Sequence, residues 1–258
     1  MEKPILSLTV LGSGSYAPAF GGKTPVRNPA GYAVEIEGRI VLFDFGFGNL
    51  RALAKAGLDI RNISHVFLTH FHLDHWGDLP SLLFLFHYDF KPVSGKLTIT
   101  GPPGIKKFLK KLMAACRPYT DPAGYRLCIT ELADRQTRRY GRFLVKAKAV
   151  RHSEPSFSYR METGGKTVTY TGDSSFEDSL VRFAMDSDLL IAESSLPGPA
   201  TAYGHMTVDE ALTLARLSHS KKTLLSHISP QAEPAVLKKT ARLSPMILPA
   251  GDGMRILL

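Results

Sequence analysis

Thr69-His70-Phe71-His72-Leu73-Asp74-His75 is the stretch on which the reading of this chain turns. It crowds three imidazoles and a carboxylate together directly after the apolar run Val66-Phe67-Leu68, which reads as a buried strand. If the strand ends near Thr69, a loop follows. His70 and His72 then point one way while Asp74 and His75 turn toward a neighbouring point, so one loop can serve two metal ions. Imidazole with carboxylate suits zinc, and also manganese or iron. The bland alternative is a solvated loop, which gains nothing from such crowding. A helical zinc-protease signature is excluded, because it needs His-Glu-x-x-His and residue 73 is leucine.

Outward from this loop, isolated polar residues stand just past other apolar runs. His152 follows Ala147-Lys148-Ala149-Val150-Arg151, Asp173 follows Val168-Thr169-Tyr170-Thr171-Gly172, and His227 follows Thr223-Leu224-Leu225-Ser226. Each alone reads as structural or solvated. Their shared position carries weight, because strand ends converge on one rim of a sheet. Upstream, Asp44 ends a run over 39–43 that pairs with 32–37 across Gly38. Gly12-Ser13-Gly14-Ser15 lacks the Lys-Ser/Thr ending of a phosphate loop and the dinucleotide fingerprint, so it reads as a tight turn after an opening strand. His65, His87 and His219 lack motif partners and read as structural.

A short helix is expected to residue 56 and another over 79–90, where apolar spacing points to core, with a homodimer interface as the alternative. A strand follows at 97–100, a helix at 105–115, and strands at 125–131, 143–150, 156–162 and 167–171. The last third alternates: helix 177–185, strand 188–193, helix 207–217, strand 222–226, helix 232–243, then a closing strand pair. Sheets packed face to face with helices outside follow, a mixed α/β layered architecture. Nothing divides the 258 residues into self-sufficient halves, so a single domain over 1–258 is expected. Residues 196–203, rich in Pro, Gly and Ala, read as a mobile loop over the site.

No apolar run approaches the length needed to cross a bilayer, and Met1-Glu2-Lys3-Pro4 does not read as a secretion leader, so no membrane partner and a cytoplasmic location are expected. Cys116 and Cys128 have no ligand or redox spacing and read as core thiols. A net charge of +9 favours anionic small-molecule or nucleic-acid partners. The cations are densest over 135–151, with no acidic residue among them. Such a run is usually a solvated face, and contact with a nucleic-acid backbone is the sharper reading.

The His-x-His-x-Asp-His motif after a strand resembles that of the metallo-β-lactamase superfamily. Gly204-His205-Met206-Thr207, lying between Glu193-Ser194-Ser195 and His227, resembles the Gly-His-x-Thr motif of its ribonuclease Z-like branch. The resemblance runs from the first strand to about Pro230. It implies an αββα sandwich with two metal ions, most simply Zn2+, at one end of the sheets. His70, His72 and His152 would hold the first, Asp74, His75 and His227 the second, and Asp173 would bridge them. It also implies a hydrolase in which the metal pair turns a bridging water into hydroxide for attack on a phosphodiester or RNA end. In that scheme Asp74 accepts the water's proton, His205 protonates the departing oxygen, Glu193 orients His205, and Asp44 buttresses the loop. Without the resemblance, Asp44 caps a turn, and His205 merely precedes a helix capped by Thr207 and Glu210.

Two departures matter. Members of that branch that trim transfer RNA carry a long basic arm between the strand after the third histidine and the strand before the bridging aspartate; here 159–167 reads as a plain hairpin. Asp44 stands in Asp-Phe-Gly-Phe-Gly, where those enzymes have Asp-Cys-Gly-Glu-Gly. Both speak against transfer-RNA processing. Rival readings are a carboxyl-ester, thioester or sulfate-ester hydrolase, since a metal pair activates water for any of these, and a nucleic-acid-binding protein with structural metals.

Overall fold

Successive residues of a strand face opposite ways, so a strand apolar at every position must be covered on both faces. In β3 (Arg39–Phe45), Val41 and Phe43 face one core while Ile40 and Leu42 face another. The computed structural model describes residues 6–22, 24–198, 204–241 and 246–258. Among them, β1 (Leu6–Gly12), β2 (Gly31–Ile36), β3, β4 (Ile63–Phe67), β5 (Lys96–Gly101) and β6 (Arg126–Glu131) form one sheet. A second comprises β7 (Thr137–Tyr140), β8 (Phe143–Ala149), β9 (Phe157–Thr163), β10 (Lys166–Tyr170), β11 (Leu189–Glu193), β12 (Thr223–Ser226) and β13 (Ile247–Pro249). The last strand, β14 (Arg255–Leu257), returns to the first sheet beside β1, making each sheet seven-stranded.

Three apolar clusters glue four layers. Val41, Phe67, Tyr159, Tyr170 and Leu224 fill the space between the sheets. The outer face of the first sheet packs on α1 (Asn49–Lys55), α2 (Leu79–Tyr88) and α3 (Ile105–Ala115) through residues such as Leu53, Leu82 and Leu109. The outer face of the second packs on α4 (Asp178–Ala184), α5 (Val208–Leu217) and α6 (Glu233–Thr240) through Leu180, Leu214 and Val236. This is the αββα sandwich that the motifs imply. The buried face of α2 supplies core, as its spacing predicts, and no described helix is long and apolar enough to cross a membrane.

Three details differ from the sequence reading. Strand β7 has no apolar alternation; its side chains are largely exposed at the sheet edge, where Arg138 and Arg139 discourage further pairing. The closing strands do not pair with each other: β13 runs parallel to β12 and β14 antiparallel to β1. Helix α6 ends at Thr240, and of the loop at 196–203 only 196–198 lie within the described residues.

Strand direction places the site. β3 to β6 are parallel, as are β10 to β13, and β8 is antiparallel to β9, itself antiparallel to β10. The carboxyl ends of β3, β4, β8, β10, β11 and β12 carry Asp44, Thr69 and His70, His152, Asp173, Glu193 and His227. Between β9 and β10 the chain turns through Gly164-Gly165, with Thr163 paired to Lys166, so the hairpin has no arm.

Candidate metal centre

After β4 the backbone leaves the sheet at Thr69, and the 3₁₀ turn Leu73–His75 swings Asp74 and His75 in beside His70. Four imidazole Nε2 atoms then converge on one oxygen. Asp173 Oδ2 lies 3.3 Å from His75, 3.4 Å from His227, 3.7 Å from His152 and 3.8 Å from His70. Asp74 Oδ2 is 3.5 Å from Nε2 of both His75 and His227, and His72 Nδ1 is 3.0 Å from His152 Nε2. Ligating atoms of His70, His72, His152 and Asp173 lie within 4.8 Å of one another, as do those of Asp74, His75 and His227. The structure thus brings together all seven residues that the sequence singles out.

The other nitrogen of each of the four rings that converge on Asp173 is spoken for. His75 Nδ1 donates to Asp44 Oδ2 at 2.7 Å, and His152 Nδ1 to the Gly204 carbonyl at 2.7 Å. His70 Nδ1 donates to Thr69 Oγ1 at 3.0 Å, and that hydroxyl passes its proton to Asp44 Oδ2 at 2.8 Å. His227 Nδ1 donates to Ser195 Oγ at 2.7 Å, and that hydroxyl donates to Glu193 Oε2 at 2.9 Å. With protons assigned to Nδ1 from these acceptors, each of these rings, when neutral, turns a lone pair toward Asp173. Lone pairs and a carboxylate repel. Nε2 of His70, His75 and His227 and Oδ1 of Asp173 are buried with no hydrogen-bond partner among the described residues. Leaving such a group unpaired costs about 1–3 kcal/mol, and cations satisfy imidazole and carboxylate lone pairs together. The donor set therefore fits two divalent ions.

Protonation follows the same geometry. Burial, then the charge of His75, holds His70 well below the ordinary histidine range, and burial lowers His152. Burial opposes the charge on His75 too, but Asp173 and Asp44 overcome it and hold that ring well above its ordinary value. Burial would raise Asp173, yet His227 and His75 keep it well below the carboxylate range. Asp44 and His227 both adopt φ of 53°, a left-handed backbone that non-glycine residues seldom take. At Gly204, φ is 92° and a Cβ would sit 2.8 Å from His152 Nδ1, so only glycine brings this carbonyl under the ring.

His205 stands beside this cluster. Its Nδ1 donates to Glu193 Oε1 at 2.9 Å, and its ring lies 5.7 Å from that of His227 and 4.7 Å from that of His152. Burial pulls the imidazole down, but the hydrogen bond and charge of Glu193 push it up to about 9, so it is a cation at neutral pH. Its side chain is 28% exposed, at the mouth of the site. Thr207 and Glu210 do form a capping box on α5, which accounts for Thr207 and leaves the His205–Glu193 pair unexplained by helix capping. Asp44 caps no turn. It is wholly buried and takes further bonds from Thr69 N at 2.8 Å and Tyr170 OH at 2.9 Å.

Thr69, Tyr170, Ser195 and the Gly204 carbonyl complete the site and were not singled out by motif; their signal is only that they neighbour, or pair in space with, residues that were. His87 donates to the Asp121 carbonyl at 2.6 Å, away from the cluster. Part of the basic run also lies elsewhere: Arg138, Arg139 and Arg142 sit on the β7–β8 hairpin, at the opposite end of the sandwich.

Comparison with known proteins agrees with this geometry. Residues 39–228 match the family described as the beta-lactamase superfamily domain. The ribonuclease Z of Bacillus licheniformis is 28% identical over 281 aligned positions, covering 87% of this chain and 88% of the relative. Among solved structures, the metallo-beta-lactamase fold protein YhfI from Bacillus subtilis superposes with a TM-score of 0.81 at 25% identity, covering 98% of this chain and 100% of that one. The short form of human tRNase Z gives 0.76 at 26% identity, covering 97% and 98%.

Proposed function

Since the chain belongs to the beta-lactamase superfamily, we propose that it is a metal-dependent phosphodiesterase of ribonuclease Z-like type, acting on a phosphodiester or an RNA end. His70, His72 and His152 would hold one ion, Asp74, His75 and His227 a second, with Asp173 between them. Zinc suits this donor set, with manganese or iron as the alternatives. When bound, such a pair would supply Lewis acidity and bring the ionisation of water at the site toward neutral pH.

The chain's own residues do the rest. Water adds to phosphorus as the bond from phosphorus to the leaving oxygen breaks. Asp74, held below its ordinary range by His227 despite burial, is an ionised acceptor for the water's proton. His205 has Nδ1 engaged by Glu193, which leaves Nε2–H for the leaving oxygen and a positive charge for the phosphoryl group. The observation that carries this reading is the convergence of orphaned Nε2 atoms on Asp173 with a charged acid beside them. The armless β9–β10 hairpin favours a substrate smaller than a gripped transfer RNA.

The test compares metal-loaded wild type with His205→Ala on bis(p-nitrophenyl) phosphate, RNA with a 3′ extension, and p-nitrophenyl acetate. Phosphodiester turnover should fall about 10²–10⁴-fold in the variant, and ester turnover much less. A fully metallated protein that cleaves only the ester is an ester hydrolase. Salt-sensitive RNA binding that survives chelation, without cleavage, would make it a binding protein.

A further inference from the structure

The two sheets gape at the end away from the metal centre. Between the starts of β3, β4 and β5 and the β7–β8 hairpin lies a cleft of about 590 Å³, within the usual small-molecule range of about 300–1,000 Å³. Its floor is one register row of the first sheet, in which Val41, His65, Thr98 and Cys128 are paired across successive strands. Elsewhere the space between the sheets is filled by rings such as Phe43, Phe67 and Tyr159. In this row three of four residues carry polar atoms. Thr98 is 3% exposed, and its Oγ1 has no hydrogen-bond partner among the described residues. The opposite wall is apolar: the rings of Tyr140 and Phe143 stand edge-on to His65 at 5.2 and 5.0 Å.

The rim is cationic. Arg142 is engaged by Glu37 at 2.5 Å, and Arg138 lies over the Tyr140 ring at 5.7 Å. Arg39, Lys96 and Arg138 have no carboxylate partner among the described residues; Arg138 shares the face of β7 that carries Tyr140, whereas Arg139, paired with Leu144, faces the other way. Burial first, then Lys96 and Arg39, pushes His65 down to about 4, which leaves its ring neutral.

We propose that this cleft binds a small phosphorylated ligand of mononucleotide size. Its phosphate is held by Arg39, Lys96 and Arg138, and its heterocycle lies against Tyr140 and Phe143 with Thr98 Oγ1 as a hydrogen-bond partner. Guanidinium groups match phosphate oxygens in pairs. A buried, unpaired hydroxyl between the sheets calls for a ligand that enters the cleft, which a polymer lying along the hairpin does not do. A lipid tail would leave that hydroxyl unpaired. The site is distinct from the metal centre, since Arg39 and His65 lie toward the starts of strands whose far ends carry Asp44 and His70.

The test is calorimetric titration of the metal-loaded full chain with AMP, adenosine and inorganic phosphate. The variants are the double charge reversal Arg39→Glu/Arg138→Glu and Thr98→Val. The reversal should weaken one class of AMP and phosphate sites by at least about 100-fold, the loss of two charge-assisted contacts. Thr98→Val should weaken AMP about tenfold, the worth of one hydrogen bond, and spare phosphate. Both variants should keep wild-type turnover of bis(p-nitrophenyl) phosphate. Nucleotide held at the metal centre would be lost on chelation and indifferent to both variants. The inference is overturned if all AMP binding behaves in that way, if none is detected, or if only oligonucleotides bind, with steep salt dependence.

Discussion

Replacing Asp44 with asparagine asks whether the metal loop is held by a carboxylate. Oδ1 accepts from Thr69 N at 2.8 Å, and Oδ2 accepts from Thr69 Oγ1 at 2.8 Å, His75 Nδ1 at 2.7 Å and Tyr170 OH at 2.9 Å. Asparagine keeps the volume and tolerates the left-handed backbone at φ 53°, so neither cavity nor strain confuses the result. It exchanges one acceptor for two donors. Facing the partners of Oδ2, the new amide meets donors on every side; facing Thr69 N, it sets one N–H against another and offers His75 a neutral oxygen. The second arrangement is the milder. It combines one buried clash, about 1–3 kcal/mol, with the weakening of a charge-assisted bond by about 1 kcal/mol. Unfolding of the metal-free protein in urea should therefore lose about 2–4 kcal/mol. Because a neutral amide oxygen replaces the carboxylate that fixes the tautomer and raises the basicity of His75, competition against a chromogenic chelator should show metal affinity reduced about 10–100-fold. A metal-free stability within about 0.5 kcal/mol of wild type, with unchanged chelator competition, would refute the assignment of Asp44 as the buttress.

Further outcomes follow from the same contacts. Donation by His205 requires its proton, so activity should fall as pH rises through about 9; in Glu193→Gln that alkaline limb should move toward the ordinary histidine value of 6.5, read from pH–rate profiles. Ser195→Ala leaves His227 Nδ1 without its acceptor and should lower affinity for one of two metal equivalents about tenfold or more, measured by competition titration. His65 sits near 4 in the fold against 6.5 unfolded, so its neutral form contributes stability that is complete above 6.5 and lost as pH falls toward 4; His65→Gln should remove up to about 3 kcal/mol of that acid sensitivity in urea titrations. Chelation should lower the melting temperature, since free metal at a hundred times its Kd stabilises by about 2.7 kcal/mol.

The layers and the cluster are legible in the sequence for one reason. Buried strands declare themselves by apolar runs, and a polar residue just past such a run is displayed at a rim. His152, Asp173 and His227 are visible in this way, and so is the loop that carries Asp74, though not its 3₁₀ turn. Strand β7 is not, because an exposed edge has no face to alternate; its pairing is set by β8, not by its own residues. The partners of β13 and β14 are hidden too: three residues cannot encode which of two sheets they join. The hydroxyls of Thr69 and Tyr170 matter only because strands distant in sequence bring Asp44 within 3 Å of them, and that of Ser195 because β12 brings His227 Nδ1 within 2.7 Å.

Those hydroxyls expose a correspondence that no motif records. Asp44 from the first sheet holds His75 directly and His70 through Thr69; Glu193 from the second holds His205 directly and His227 through Ser195. If the carboxylate decided the role of its histidine, His75 and His205 would do the same work. They differ in what faces the other nitrogen. His75 is wholly buried, with Asp173 Oδ2 3.3 Å from its Nε2, so a proton there sits between two carboxylates and can be exchanged for a metal ion. His205 is hydrogen-bonded to one carboxylate, Glu193, while Asp173 stands farther off, within 4.8 Å, and its partly exposed ring can keep its charge and meet a substrate. For these two carboxylate-held histidines, the close approach of Asp173 to the second nitrogen therefore separates ligand from acid. Filling the mouth beside His205 with an apolar side chain should lower its pKa and its activity together while leaving metal content intact, whereas loss of metal in such a variant would place His205 among the ligands.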